Sequence, residues 1–191
     1  VNNSIILTTM LYSIKNKIKS VAFVIILLIS SLILYKYFTF SNEANKGKIA
    51  PEFSVKLIDN RDYNLSDSKG NYIILDFWGS WCHTCISEMP KLVDLKSKFR
   101  SSYFDNNSKL DIVTIAIEKR GDNSSKVAQK FGFNWDFQAV SFNKFVLSSS
   151  LANKYGVLDL PSKFLINPDG YIVLSKTTFE EIERYLDKIE I

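Results

Sequence analysis

Apolar positions in this chain fall into two regimes. Between Lys19 and Lys36 runs SVAFVIILLISSLILY, sixteen residues with no charge and apolar on every face. As a helix it spans about 24 Å, the short end for a membrane crossing. Lysines that can snorkel at both ends, with Tyr35, Tyr37, Phe38 and Phe40 as an interfacial belt, extend that reach. From Ile49 onward, short apolar runs alternate with amphipathic ones, as in a globular domain. Residues 1–19, 20–38, 39–48 and 49–191 therefore read as a cytoplasmic segment, a transmembrane signal-anchor, a polar linker and one globular domain.

A buried core helix and a cleaved signal peptide compete with the anchor. Lys15, Lys17 and Lys19 form a positive flank, but the run is long for a signal sequence and no A-x-A site follows. An uncleaved anchor fits better. Those three lysines outweigh Lys36 immediately beyond the run, although Lys46 and Lys48 partly balance them. The bias places the N-terminus in the cytoplasm and the domain outside. Met10, shortly after Val1, is a second candidate start.

Within the domain, Phe53, Val55 and Leu57 alternate before the turn signal Asp59-Asn60, and Tyr63 and Leu65 resume, which predicts a strand pair. NYIILDFWG is a nearly continuous apolar run of strand length, expected at the centre of a sheet. Ile86, Met89, Leu92, Leu95 and Phe99 keep helical spacing from His83, with Pro90 as a kink point. KLDIVTIAIEK reads as a second buried strand, NSSKVAQKFGF as a helix ended by Gly132, NWDFQAVSF as a short strand or loop, and SLANKYG as a helix stopped by Gly156. SKFLINPDGYIVLS gives two strands around a Pro-Asp-Gly turn. Thr178 and Glu181 in capping-box spacing open a final amphipathic helix. This order predicts a three-layer α/β domain around a mixed sheet.

Composition agrees with a globular domain: 46% of residues are apolar and 14% aromatic. The net charge of +4 is spread among acidic residues without a basic stripe, which argues against nucleic-acid binding. Two cysteines are too few for a disulfide framework but enough for one redox pair or half a zinc site.

Both cysteines and the lone histidine lie in DFWGSWCHTCISEMPK. Cys82 and Cys85, at the start of a predicted helix after a buried strand, can close a small disulfide ring. Unpaired N–H groups there favour an anion and so the Cys82 thiolate. At a free-thiol pKa of about 8.5 only about 3% is thiolate at pH 7, and a pKa of about 6.5 makes roughly three quarters so. Zinc needs about four ligands, and Cys82, His83 and Cys85 supply three, crowded too tightly to close a tetrahedral site. Protonated His83 would favour a neighbouring thiolate and a more oxidising pair, or else is an exposed side chain that tunes little. Asp76 interrupts the apolar run on the strand face of Ile74 and Trp78, where burial should raise its pKa and let it take a proton from Cys85. Glu88, one helical turn after Cys85, either serves the same role or is a solvated helix residue.

FWGSWCHTC, followed by Glu88 and Pro90, and then YGVLDLPSKFLINPDGYIV resemble the TlpA/ResA-like membrane-anchored thiol-disulfide oxidoreductases of the thioredoxin superfamily. The likeness extends over Ile49 to Ile191, beginning with APEF at Ala50 to Phe53. It implies a thioredoxin fold with N-terminal extension strands, in which Pro161 is a cis-proline facing the cysteines and the Leu160 backbone can pair with an extended substrate. Trp81, His83, Leu160 and Pro161 are then the expected substrate-binding residues. Glu88 matches the family's active-site glutamate, and Asp76 the buried acid of thioredoxin itself. Asp159, where relatives often have glycine, and His83-Thr84, which lacks a common proline, depart from the pattern.

The resemblance implies dithiol-disulfide exchange with cysteine-containing extracytoplasmic proteins, with no metal or organic cofactor and with a membrane thiol donor supplying electrons. The expected place is a bacterial cytoplasmic membrane with the domain on the periplasmic or outer side, and the expected role is that of a reductant, for example of cytochrome c thiols. An oxidant or isomerase of the same fold, a peroxiredoxin-like peroxidase and a binding or chaperone module remain alternatives. The P-x-x-x-T-x-x-C setting of a peroxidase is absent.

Overall fold

The computed structural model describes residues 2–40, 44–119, 123–133, 135–143 and 145–191, without the side chains of 2–14, 36–40 and 147. Residues 41–43 of the expected linker, the side chains of Tyr37, Phe38 and Phe40 in the expected belt, and Asn134 lie outside the described residues. The chain divides into two compact units, Val1–Phe40 and Ser41–Ile191.

The first unit is the helix α1 (Asn2–Phe40). Its stretch Lys15–Tyr35 is long and apolar enough to cross a membrane. Every side chain from 15 to 35 is exposed, an arrangement that suits lipid better than water.

In the second unit, β1 (Ser54–Lys56) and β2 (Asp62–Asn64) form an antiparallel pair with Val55 opposite Tyr63. Asn60, at φ 69°, makes the turn between them; asparagine tolerates this left-handed conformation better than most residues. Five strands, β3 (Tyr72–Trp78), β4 (Leu110–Glu118), β5 (Phe137–Phe142), β6 (Ser162–Ile166) and β7 (Ile172–Ser175), form the main sheet in the order β5-β4-β3-β6-β7. β3, β4 and β5 are parallel, while β6 and β7 run antiparallel. β3 is central and buried along its whole length, which is why its apolar run shows no alternation.

Helices α2 (His83–Lys98), α3 (Ser124–Phe131) and α5 (Phe179–Leu186) cover one face of the sheet, and α4 (Ser150–Lys154) with the β1–β2 pair covers the other. Successive β3 side chains divide between them: Ile73, Leu75 and Phe77 pack with Tyr155 and Phe53, and Ile74 with Leu92, Leu95 and Ile182. Each such buried side chain contributes about 1.5–3 kcal/mol. α2 continues through Pro90. Thr178 caps α5, its Oγ1 accepting from the Glu181 N–H at 3.2 Å, and Gly132 closes α3 at φ 71°. The packing delivers the C-terminal end of β3 and the first turn of α2 to one place.

Candidate active site

β3 ends at Trp78, and the turn Gly79-Ser80-Trp81 carries the chain into α2. Cys82 is the N-cap residue: its Sγ accepts from the Cys85 N–H at 3.2 Å. Cys82 and Cys85 form a disulfide, with Cα atoms 5.2 Å apart. Their exposure differs: Cys82 is 7% exposed and Cys85 is fully buried at 0%. A partner protein can reach only the first.

Beneath the pair, Trp78, Met89 and Ala116 pack with the cysteines, and Leu160 closes against the same cluster. The Leu160–Pro161 peptide is cis. Pro161 immediately precedes Ser162, which pairs with Phe77 at the end of β3. His83 is exposed. Trp81 is half exposed, its indole Nε1 donating to the Ile117 carbonyl at 2.8 Å while the Lys119 ammonium lies 4.6 Å from its ring.

Asp76 lies on the face of β3 that α2 covers, between Ile74, which packs on Leu92 and Leu95, and Trp78, which packs on the cysteines. It is 1% exposed, and neither carboxyl oxygen has a hydrogen-bond partner. Burial pushes its pKa up to about 7, with Lys163 pulling it down and Glu88 pushing it further up. Glu88 keeps a quarter of its side chain in solvent and accepts from the Lys163 ammonium at 2.6 Å.

Two site residues escape a reading of the sequence. Lys163, on β6, is 3% exposed and pairs in register with Asp76; its position next to the proline loop was the available signal. Glu118, at the end of β4, is 2% exposed and accepts from both the Ser80 N–H at 2.6 Å and the Ser80 hydroxyl at 2.8 Å. It anchors the turn that positions Cys82. Among the described residues no cluster of His, Cys, Asp and Glu is placed to hold a metal ion.

A cysteine pair at the N-terminus of the helix that follows a central parallel strand, with a cis-proline at the head of the adjacent antiparallel strand, defines a thiol-disulfide exchange protein of thioredoxin fold. The sequence profile described as Thioredoxin-like matches residues 70–172. A thiol-disulfide oxidoreductase ResA of Bacillus cereus is 33% identical over 175 residues, covering 87% of this chain and 94% of the relative. Another ResA, of Bacillus thuringiensis, is 31% identical over 157 residues, covering 80% and 83%. A solved thiol-disulfide oxidoreductase of Bacteroides fragilis superposes with a TM-score of 0.63 at 25% identity, covering 74% of this chain and 98% of that one. The chain belongs to the thioredoxin-like family and, within it, to the ResA-type thiol-disulfide oxidoreductases. Such enzymes use their own cysteine pair and need no cofactor.

Proposed function

We propose that this protein is a membrane-anchored, extracytoplasmic reductant of protein disulfides, with residues 1–19 in the cytoplasm, 20–38 in the membrane, 39–48 as linker and 49–191 carrying the reaction. The observation that carries the reading is the unequal exposure of the pair, 7% for Cys82 at the helix N-cap against 0% for Cys85. The Cys82 thiolate attacks a partner disulfide, forming a mixed disulfide and releasing one partner thiolate, which takes up a proton. Cys85 then gives its proton to a carboxylate and attacks the Cys82 sulfur. The intramolecular disulfide forms and the second partner thiolate leaves. The partner is reduced, the pair is oxidised, and a membrane thiol donor restores the dithiol.

The direction of electron flow follows from what stabilises the thiolate. A strongly oxidising pair needs its thiolate held by cationic groups or several donors. Here the support for Cys82 is the helix N-terminus and the Cys85 N–H, while Lys163 is tied to Glu88. That balance favours a reductant, and the disulfide of an apocytochrome c cysteine pair, reduced to its two thiols, is a fitting extracytoplasmic substrate class. In this reading Trp81, His83, Leu160 and Pro161 are the partner-docking residues; Trp81 and His83 flank Cys82 in the chain and Leu160 packs against the cysteine cluster. Reduction of insulin by the dithiothreitol-reduced protein tests the reading: Cys82→Ser should abolish it, and retained activity would refute the mechanism. A pair potential near −270 mV supports a reductant, and one near about −120 mV an oxidant.

A further inference from the structure

The cluster behind the cysteines holds three ionisable side chains from three elements: Asp76 on β3, Glu88 on α2 and Lys163 on β6. Fully ionised it carries a net charge of −1, costly where the dielectric is low; with one carboxyl protonated it is neutral. Geometry decides which one. Glu88 takes a 2.6 Å hydrogen bond from the ammonium and keeps 26% of its side chain in solvent. Asp76 is 1% exposed and no protein group hydrogen-bonds to either of its oxygens. The buried, unpartnered carboxyl of Asp76 is the one that carries the proton.

We propose that Lys163 is the positioning residue of the proton transfer: it ties Glu88 through its hydrogen bond and sets the charge that faces Asp76, its cross-strand neighbour, which takes and returns the Cys85 proton. The lysine is itself held in place, its ammonium lying 4.6 Å from the Phe179 ring centroid on α5. Among the described residues, Lys91 of α2 also acts on Glu88 through space. From β4, Thr114 stands opposite Asp76, its hydroxyl oxygen accepting from the Trp135 indole. Lys91 of α2 and Glu180 of α5 pair with one another at the surface. Removing Lys163 removes the attraction that opposes burial at Asp76, so the carboxyl stays protonated and cannot take the Cys85 proton.

This inference rests on Cys82 as the attacking thiol and Cys85 as the resolving one. Its test follows the reduced full-length protein in detergent with oxidised glutathione as probe, measuring from pH 5.5 to 9 how fast the Cys82–glutathione mixed disulfide closes to the Cys82–Cys85 disulfide. The midpoint of this profile should rise by about one pH unit or more in Lys163→Met, slowing closure about fivefold or more at pH 7, and return in Lys163→Arg. Glu88→Gln, which removes a negative charge, should move it down. Asp76→Asn should remove the Asp76-dependent midpoint and leave only the rise set by the Cys85 thiol itself. A Lys163→Met profile superimposed on that of the parent protein, in a variant that still melts cooperatively, overturns the proposal. So does an unmoved midpoint in Glu88→Gln, which decides the matter if Lys163→Met does not fold. Insulin reduction surviving Cys82→Ser would instead strike the exchange mechanism itself.

Discussion

Lys163 and Asp76 face each other across the antiparallel β6–β3 pair, yet the lysine gives its hydrogen bond to Glu88 on α2, at 2.6 Å. Asp76 is thereby left as a buried carboxyl whose attraction to the ammonium is purely through space.

Stability should therefore fall as pH rises. The Asp76 pKa is about 7 in the folded chain against an ordinary 3.8, so between those values the folded state holds more protons than the unfolded one. Stability is then highest near the lower value and declines until Asp76 is ionised, a loss on the order of 4 kcal/mol at most. Urea unfolding at pH 5 and pH 8 should show the decline in the parent protein and a much flatter response in Asp76→Asn. An equal decline in both would show that another group is responsible.

Cys85→Ser should trap the reaction halfway. Cys82 still attacks, but no second sulfur releases the partner, so a stable mixed disulfide accumulates. Intact-mass measurement after incubation with a disulfide-containing protein should find the adduct in Cys85→Ser and none in Cys82→Ser.

Glu118→Gln weakens two charge-assisted hydrogen bonds to Ser80. A loss of about 1–3 kcal/mol is expected, together with slower insulin reduction, because the turn before Cys82 loses its anchor. Chemical denaturation combined with the insulin assay checks both; full activity at reduced stability would confine Glu118 to a purely structural role.

Gly79→Ala should disturb the same turn by a steric route. An added Cβ would lie 2.9 Å from the Trp81 Nε1 and 3.0 Å from the Ile117 carbonyl oxygen, the two atoms of an existing hydrogen bond. Overpacking of this kind costs about 1–3 kcal/mol, and the melting temperature should drop accordingly. Unchanged melting would mean that Trp81 swings away freely.

Orientation can be read with a reporter enzyme active only outside the cytoplasm, fused after Lys48. Activity is expected with residues 1–38 present and should be lost when they are deleted. Activity from a reporter that works only in the cytoplasm would reverse the proposed topology.

The exchange pair was legible from residue order because its parts are local. A buried strand shows as an apolar run, a helix start as the beginning of a periodic pattern, and Cys82 and Cys85 are three residues apart at that junction. Asp76 stood out for the same reason, as one carboxylate inside an otherwise apolar strand. Beyond Lys163's place beside the proline loop, Lys163 and Glu118 carry no such mark: in sequence a buried lysine or glutamate looks like any surface one. Their partners lie 75 and 38 residues away, and they meet only because β6 pairs beside β3, β4 on its other side, and α2 packs across that face. Local periodicity could place the thiols and the lone buried acid. Strand pairing and helix packing determined which charge sits beside that acid.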